Sequence, residues 1–252
     1  MPLFRHYKLK KMKKSKADIL ESSIRKQFNK GCVDYHLLED GDRILIGLSG
    51  GKDSLELVRL LSTRAKIWKP RIHVEAAHII IENIPYESEV EYLKEFCEES
   101  GVKLHIIRNT FDETTDRRKS KCFLCSWTRR KTLFEYASTN GFNKIALGHH
   151  MDDILTTLLM NLTFESSLNT MMPSLKMQHY PITIIRPLCL VEEKHITALA
   201  EELHFRKQNK LCPYEKESKR AEMENIFREL ERLNPEARYS MWSALMKNHA
   251  NK

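Results

Sequence analysis

The stretch "GLSGGKDSL", residues 47–55, follows an apolar run at 44–46 and begins a helix-like run at 55–61. Gly50 and Gly51 let the backbone approach an anion without an intervening Cβ, and both can adopt a positive φ. The first strand-to-helix turn of a doubly wound sheet is the usual phosphate site, because backbone N–H groups and the helix N-terminus point at the anion. The stretch therefore predicts a phosphate-binding loop. Its remaining polar side chains are Ser49, Lys52, Asp53 and Ser54.

Short apolar strands alternate with helices along the rest of the chain. Strands that are separated by helices of about ten residues or more imply crossover connections and a parallel sheet buried on both faces. We therefore predict an α/β fold with a doubly wound, mainly parallel five-stranded sheet. The strands are expected at 44–48, 73–81, 103–107, 144–147 and 183–185, and the helices at 55–65, 87–99, 128–138, 154–162 and 193–203.

Helical extensions are predicted on both sides of this sheet domain. Residues 1–16 carry seven Lys and Arg and no acidic residue, which predicts a basic arm, followed by a helix from Ala17. Apolar residues at helical spacing predict a closing helical segment that is interrupted at Pro235. The expected divisions are an arm and helix at 1–42, a nucleotide-binding domain at 43–217 and a helical segment at 218–252.

The composition is that of a moderately basic globular protein. The chain has 252 residues, a formal net charge of +8 and 30% charged residues. No apolar stretch approaches the roughly 18 residues needed to span a membrane, and the first residues lack the apolar core of a secretory signal. We therefore expect a cytoplasmic protein without membrane association. Nucleic acid is a common partner of such a basic surplus, although charge alone does not distinguish it from mere solubility.

The spacing within residues 49–54 excludes two common nucleotide loops. Gly-x-x-x-x-Gly-Lys-Ser/Thr fails because no glycine stands at the required distance upstream, and Gly-x-Gly-x-x-Gly fails as well. The string Ser-Gly-Gly-Lys-Asp-Ser instead resembles the PP-loop of the ATP pyrophosphatase family, whose members bind ATP and transfer AMP to a carbonyl oxygen. The resemblance implies an adenine nucleotide alpha-hydrolase-like fold. Asp53 would repel phosphate, so we expect it to hold Mg²⁺; helix capping is the structural alternative.

A second polar stretch, "LGHHMDD" at 147–153, begins at the end of a predicted strand and therefore lies at the same edge of the sheet. It resembles the Gly-His-x-x-Asp-Asp motif of PP-loop tRNA-modifying enzymes. We expect Gly148, His149 and Asp153 to bind ATP. Asp153 or Asp152 is expected as a further magnesium ligand, and either carboxylate could instead cap a helix.

Six cysteines in a chain expected to be cytoplasmic do not suggest a disulfide framework. Cys122-x-x-Cys125 has the spacing of metal ligands, and the basic residues that follow would favour the thiolate form. Two cysteines do not complete a site, and Cys212 in a polar loop is the best third ligand. Three thiolates fit a [4Fe-4S] cluster with one iron open to sulfide, whereas a zinc site would add a histidine such as His204 or His150.

The motifs follow the order seen in the tRNA 2-thiocytidine synthetase family, which the chain resembles over most of its length. The resemblance implies that ATP adenylates the C2 carbonyl of a tRNA cytidine, and that sulfur delivered through a three-cysteine iron–sulfur centre then displaces AMP. It implies that Lys52, Asp53, Cys122 and Cys125 are catalytic. A sulfur donor such as a cysteine desulfurase is implied as well, and a homodimer is compatible with it. The motifs are 49–54, Cys122-x-x-Cys125, "LGHHMDD", "MMPSLK" at 171–176, "IRPL" at 185–188 and Cys212.

Basic residues around the cysteines are the predicted tRNA contacts. A basic run alone is more often a solvated surface, but several runs near a nucleotide site favour binding of an RNA backbone. The predicted contacts are Arg117, Arg118, Lys119, Lys121, Arg129, Arg130 and Lys131.

Two other functions remain open from the sequence. One is a different PP-loop synthetase, of the lysidine-forming or amidating type, with structural zinc at the cysteines. The other is a regulatory module that binds ATP without turnover. Lys52, Asp53 and the second acidic pair argue against the module, because a passive binder has little need of catalytic metal ligands.

Overall fold

The computed structural model describes residues 14–84, 89–110, 121–206 and 219–250. Its strands are β1 (Asp42–Gly47), β2 (Ile72–Ile81), β3 (Lys103–Asn109), β4 (Lys144–Ala146), β5 (Ser174–Lys176) and β6 (Thr183–Ile185). Its helices are α1 (Lys16–Asp34), α2 (Lys52–Ala65), α3 (Val90–Glu99), α4 (Lys121–Thr139), α5 (Met151–Phe164), α6 (Glu193–Glu202), α7 (Lys219–Leu233) and α8 (Ala237–Ala250).

All six strands form one sheet, in the order β3-β2-β1-β4-β6-β5. The strands pair in parallel except at the edge, where β5 runs antiparallel to β6. The predicted α/β fold is confirmed, but the sheet has six strands rather than the predicted five. The additional strand, β5, consists of three exposed residues, so its sequence shows neither a buried run nor an alternation.

Helices cover both faces of the sheet, because successive side chains of a strand point to opposite sides. Ile44 and Ile46 pack in the core that β1 shares with α1, α2, α3 and α6, whereas Leu45 packs in the core that includes α4. All three side chains are fully buried. Burial of each contributes about 1.5–3 kcal/mol, so one short run joins both layers of helices to the sheet.

The sheet has a topological switch point at β1. The chain continues from β1 to β2 and β3 on one side, and it returns through β4 and β6 on the other. The loops that leave the carboxyl ends of β1 and β4 therefore diverge and open a crevice, which is where ligands bind in doubly wound sheets. Both predicted polar stretches, 47–55 and 147–153, begin at this point.

Helix α4 begins at Lys121, earlier than the predicted start at 128, so Cys122 and Cys125 lie on the helix instead of before it. Its buried face includes Leu124, Thr128 and Thr132. These residues recur at intervals of four, but the two threonines hide the apolar periodicity that would have indicated a longer helix.

The terminal helices pack onto the sheet domain. Helix α1 contacts α6 through a buried face that contains Ile24 and Phe28, and α7 contacts α5. Met223 and Phe227 of α7 are buried, whereas Leu233 at its end is 84% exposed. Pro235 separates α7 from α8, as its sequence position predicts. None of the described helices is long and apolar enough to cross a membrane.

Candidate active site

The loop at 47–51 joins the carboxyl end of β1 to the amino end of α2. Gly50 has φ +86°, in the left-handed region that favours glycine. Gly51 has φ −74°, and a Cβ added there would meet only Ser49 Oγ at 3.6 Å, so an alanine would fit. Of the two glycines that can adopt a positive φ, Gly50 alone does so.

Internal hydrogen bonds of two serines stabilise this loop. Ser54 Oγ donates to the carbonyl oxygen of Gly51 at 2.9 Å, and Ser49 Oγ donates to Ser54 Oγ at 3.2 Å. Ser49 Oγ also accepts from the N–H of Gly51 at 3.3 Å. Ser54 is buried, so its hydroxyl stabilises the conformation of the loop, whereas Ser49 is exposed at the surface of the loop.

Lys52 is held in place by two carboxylates. Its Nζ donates to Glu193 Oε1 of α6 at 2.8 Å and to Asp53 Oδ2 at 3.3 Å. Burial lowers the pKa of Lys52, but the charges of Asp53 and Glu193 raise it by more, so the net pKa lies above its ordinary value. The side chain is therefore a cation at neutral pH, next to the N–H groups of the loop, where a phosphate oxygen would be stabilised.

Asp53 has an unsatisfied acceptor. Its Oδ1 is buried and accepts no hydrogen bond from the described residues, although Lys52 Nζ lies 3.3 Å and His150 Nε2 3.8 Å from it. Burial raises the pKa of Asp53 above its ordinary value, although His150 and Lys52 oppose that shift. Helix α2 begins after Gly51 without a side-chain capping bond, so Asp53 does not have the capping role. A buried carboxylate oxygen without a donor suits a cation.

Gly148 allows the loop after β4 to pack on the loop after β1. A Cβ at position 148 would lie 3.1 Å from both the carbonyl carbon of Asp53 and the backbone nitrogen of Ser54. These are backbone atoms at the start of α2, so they cannot give way as a flexible side chain would. Close backbone approach accounts for this glycine, and its contact with ATP stays a prediction.

His150 and Asp153 cap helix α5 together. His150 Nδ1 accepts from the backbone N–H of Asp153 at 3.3 Å, and Asp153 Oδ2 accepts from the N–H of His150 at 3.1 Å. Asp153 Oδ1 also accepts from Arg220 of α7. The imidazole of His150 lies between the two expected magnesium ligands, 3.4 Å from Asp153 Oδ2 and 3.8 Å from Asp53 Oδ1. The capping alternative is therefore correct for Asp153, whose role as a magnesium ligand stays a prediction.

Asp152 joins three helices. Its Oδ2 accepts from the backbone N–H of Glu193 at 2.8 Å, which caps α6, and its Oδ1 pairs with Arg238 of α8 at 2.6 Å. Arg238 is 6% exposed. Burial lowers the pKa of Arg238, but Glu231 and Asp152 raise it by more, so the guanidinium stays charged. Asp152 is thus a structural residue of the site.

Two cavities flank the loop. The acidic cavity, of about 600 Å³, is lined by Asp53, His150 and further carboxylates of α5, α6 and α7. The arginine cavity, of about 630 Å³, is lined by apolar side chains and, among the described residues, by no carboxylate. A third cavity, of about 700 Å³, lies over residues 50–53 and the end of α6. The main polar residues of the arginine cavity are Ser49, Arg129, Arg130, His149 and Arg186.

His149 and His150 face different cavities, although they are adjacent. His149 lines the arginine cavity, and its Nδ1 is buried without a hydrogen-bond partner among the described residues. Burial and the nearby Arg186 guanidinium lower the pKa of His149 to about 4. The predicted ATP contact of His149 would therefore come from a neutral imidazole.

The described cysteines of the predicted cluster lie at the start of α4. Cys122 is exposed and Cys125 is half-buried, and neither forms a disulfide with another described cysteine. Cys212, the third predicted ligand, lies outside the described residues. Within the described ranges, no three His, Cys, Asp or Glu side chains are grouped to hold a metal ion.

The structure separates the predicted tRNA contacts. Arg129 and Arg130 line the arginine cavity. Lys131 lies outside it, with Nζ 3.7 Å from Glu135 Oε1 and 5.3 Å from the ring centroid of Trp127. Lys121 is the first residue of α4, and Arg117, Arg118 and Lys119 lie outside the described residues.

Three arginines of the site were missed by sequence reasoning. Arg186 belongs to the "IRPL" motif, but a single arginine after a strand does not reveal what it faces. Arg220 and Arg238 reach the acidic pair from α7 and α8, and no local sequence signal connects residues that far apart along the chain.

The comparison with protein families agrees with this site, which is a phosphate-binding loop at the switch point of a doubly wound sheet, followed by a second acidic stretch. The chain matches the PP-loop domain family over residues 18–209. The chain belongs to the PP-loop family. This PP-loop protein is similar to the tRNA-cytidine(32) 2-sulfurtransferase of Bdellovibrio bacteriovorus, with 34% identity over 220 residues that cover 86% of this chain and 84% of the relative. The protein of that name from Citrifermentans bemidjiense is 32% identical over 238 residues, or 92% of each chain.

A solved structure has a similar fold. The U34-tRNA thiolase NcsA from Methanococcus maripaludis, solved with its [4Fe-4S] cluster, superimposes with a TM-score of 0.75 and 25% identity. The match covers 92% of this PP-loop protein and 79% of the thiolase. The family expected from the loop, and the fold that the family implies, are confirmed.

Proposed function

We propose that this PP-loop protein is an ATP-dependent tRNA sulfurtransferase that adenylates the C2 carbonyl of a tRNA cytidine and replaces its oxygen with sulfur. One observation carries the proposal: Ser49 of the PP-loop and Ser126, the residue after Cys125, line the same cavity. In this proposal the ATP-binding loop and the cysteine-bearing helix act on one substrate. The relatives named tRNA-cytidine(32) 2-sulfurtransferase and the NcsA thiolase support tRNA thiolation.

The adenylation step uses the loop. The β- and γ-phosphates of ATP lie over residues 50–52, and the nucleoside extends past Ser49 into the arginine cavity. The C2 oxygen of the cytidine bonds to the α-phosphorus, the bond from that phosphorus to the bridging oxygen breaks, and pyrophosphate leaves with the electron pair. Lys52 and the N–H groups of the loop stabilise the charge that develops on the departing group.

The Asp53 oxygen that accepts no hydrogen bond from the described residues fits a divalent cation. Mg²⁺ prefers carboxylate and phosphate oxygens, and when bound it neutralises charge on the triphosphate. Asp153 joins such a site only if Arg220 leaves its carboxylate, because Arg220 occupies one of its oxygens. Asp53 is therefore the principal protein ligand in this proposal.

Cys122 and Cys125 fit two of the three thiolate ligands of a [4Fe-4S] cluster. Residues three apart on a helix lie on one side of it, and Cys212 would be the third ligand. The cluster would supply sulfide, which is at the oxidation level needed to displace AMP without an added reductant. A sulfur donor such as a cysteine desulfurase, together with a thiol reductant, would restore that sulfide, because the outer sulfur of a persulfide needs two electrons to become sulfide. Zinc is the competing metal for the same cysteines.

The cations around the cysteines support tRNA as the acceptor. In this proposal Arg129 and Arg130, which border the arginine cavity, contact phosphates of an RNA whose reacting base meets the α-phosphate at the edge of that cavity. The basic runs on either side of the cysteines would extend that contact. In this proposal the protein acts on tRNA in the cytoplasm.

Pyrophosphate release in the presence of bulk tRNA tests the function. We expect ATP-dependent release that tRNA stimulates, and thiolated cytidine in the hydrolysed tRNA by mass spectrometry. Absence of tRNA-stimulated release would favour a regulatory module. Stimulated release with a lysidine or an amide product would favour the other type of PP-loop synthetase.

Anaerobic purification followed by metal and sulfide analysis tests the cluster. We expect iron and acid-labile sulfide in the wild-type protein and their loss in Cys122→Ala. Cys97→Ala is the matched control, because Cys97 is a buried core residue of α3 and should leave the sulfide content unchanged. Zinc without sulfide under strictly anaerobic handling would contradict the cluster.

A further inference from the structure

Arg186 carries a buried donor that no described residue satisfies. The residue follows β6 at the carboxyl edge of the sheet and is 6% exposed. Its Nη1 donates to the carbonyl oxygen of Met172 at 2.5 Å, but its Nε has no hydrogen-bond partner among the described residues. A buried polar group without a partner is costly, so a native site that keeps one commonly provides it for a ligand.

The surroundings of Arg186 favour an anion. The residue lines the arginine cavity, to which the described residues contribute no carboxylate and Arg129 and Arg130 contribute further positive charge. Burial lowers the pKa of Arg186 to about 10, so its guanidinium is still charged at neutral pH. His149 lines the same cavity with its own unpartnered Nδ1.

The shape of the cavity favours a nucleotide over the backbone of an RNA. Its volume of about 630 Å³ and apolar walls, which include Leu133 and Phe134, suit a planar base with its sugar. Because Arg186 is almost fully buried, a phosphate on the outside of a folded RNA would not reach its Nε. Ser49 lines the cavity as well, so a nucleotide in it would extend toward the PP-loop.

We propose that Arg186 binds the α-phosphate of ATP, and of the AMP group formed from it, by a hydrogen bond from Nε to a non-bridging oxygen. The inference rests on the proposed adenylating activity and divides the triphosphate between two sets of residues. Lys52 and the loop hold the pyrophosphate that leaves, whereas Arg186 stays with the phosphorus that is transferred. Arg186 itself forms no covalent bond during the transfer.

The test compares ligands with and without that phosphate, measured by calorimetry on the full chain. Wild type is expected to bind AMP about tenfold or more tightly than adenosine, because a hydrogen bond to a charged group contributes about 1.5–3 kcal/mol. In Arg186→Gln this AMP-to-adenosine ratio should fall close to one, while adenosine affinity stays within about twofold. Equal binding of the two ligands by wild type would overturn the proposal.

A purely structural role of Arg186 would leave the ratio unchanged. Arg43→Gln is the matched control, because Arg43 also donates to a backbone carbonyl, that of Gly141 at 3.1 Å, but does not line the cavity. Should Arg186→Gln unfold, Arg186→Lys provides the measurement. Its amine does not occupy the position of Nε, so the ratio should fall by at least about threefold. An unchanged ratio in the folded variant would overturn the proposal.

Pyrophosphate binding locates the contact along the triphosphate. Arg186→Gln should leave pyrophosphate affinity within about twofold, because that group binds over residues 50–52. Equal weakening of AMP and pyrophosphate would overturn the assignment to the α-phosphate. These measurements use neither tRNA nor sulfur, so failure of tRNA thiolation would leave a positive result for Arg186 standing.

Discussion

The acidic cavity and the arginine cavity border the same loop, but the polar side chains that line them are paired to different extents. On the acidic side, Arg238 pairs with Asp152 and Arg220 pairs with Asp153. On the other side, Arg186 Nε and His149 Nδ1 have no hydrogen-bond partner among the described residues. Charge that is paired within the fold is structural, whereas the Arg186 charge and the neutral His149 imidazole, which keep polar atoms without a described partner in a cavity, indicate where a ligand binds.

Asp53 is the exception on the acidic side. Among the described carboxylates that line the acidic cavity, it is the one with a buried oxygen that lacks a donor. It also borders the third cavity, over the loop. This residue therefore connects the structurally neutralised side of the loop to the side where the triphosphate is expected to bind.

The largest effect is expected at Asp53. Asp53→Asn keeps the shape but removes the charge that would hold a cation, so kcat for pyrophosphate release should fall on the order of 10³-fold. The free energy of unfolding should change by less than about 1 kcal/mol, because the substitution removes a desolvated charge together with its half-buried pair to Lys52. Lys52 keeps its hydrogen bond to Glu193. Steady-state kinetics and urea denaturation measure the two quantities.

Asp40→Asn is the control for that variant. Asp40 is an exposed carboxylate that pairs with Arg71, and it does not line any of the three cavities beside the loop. Its activity should equal that of wild type. An Asp53→Asn protein with kcat within about threefold of wild type would remove the proposed distinction between Asp53 and the neutralised carboxylates.

Replacement of Asp152 should affect the free energy of unfolding more than it affects pyrophosphate release. Asp152→Ala removes the cap of α6 and one of the carboxylates that neutralise buried Arg238, so the free energy of unfolding should fall by about 2–3 kcal/mol. Asp152→Asn should retain part of this stability, because its amide oxygen can still accept from the N–H of Glu193. Urea denaturation of both variants measures the difference. A loss below about 0.5 kcal/mol in the alanine variant would show that this charge pair is not structural.

A smaller effect is expected at Glu56, which lines neither the acidic cavity nor the arginine cavity. It is a buried carboxylate of α2 whose Oε1 has no hydrogen-bond partner in the described part of the chain. Burial raises its pKa from 4.5 to about 7, although Arg59 opposes the shift. The folded state thus binds the proton more tightly than the unfolded state. Stability from this group is present below pH 4.5 and decreases as the pH rises to about 7.

Glu56→Gln should remove that pH dependence. The change in the free energy of unfolding between pH 5 and pH 8 should become smaller by about 1–3 kcal/mol, as measured by denaturation at several pH values. Pyrophosphate release should be unchanged, because Glu56 borders neither the acidic nor the arginine cavity. An identical pH dependence in both proteins would show that Glu56 is not the responsible group.

Much of the fold follows from local sequence. The buried run at 44–46, the glycines after it and the helices that separate the strands predict a doubly wound sheet with a phosphate loop at its carboxyl edge. The prediction of five strands was wrong because β5 is too short and too exposed to show a pattern. The late predicted start of α4 has a related cause, since threonines stand on its buried face.

The site was predictable only in part, for a physical reason. A loop motif specifies backbone conformation and side-chain chemistry over a few residues, so "SGGKDS" is sufficient to indicate an ATP loop. It does not specify which distant side chains meet the loop. Arg220, Arg238 and Arg186 reach it through helix packing and strand order. These contacts leave Asp152 and Asp153 paired with arginines, whereas one oxygen of Asp53 accepts no hydrogen bond from the described residues. The local sequence thus indicates the kind of ligand. Long-range packing decides which polar side chains near the loop are paired within the fold and which are left to bind a ligand.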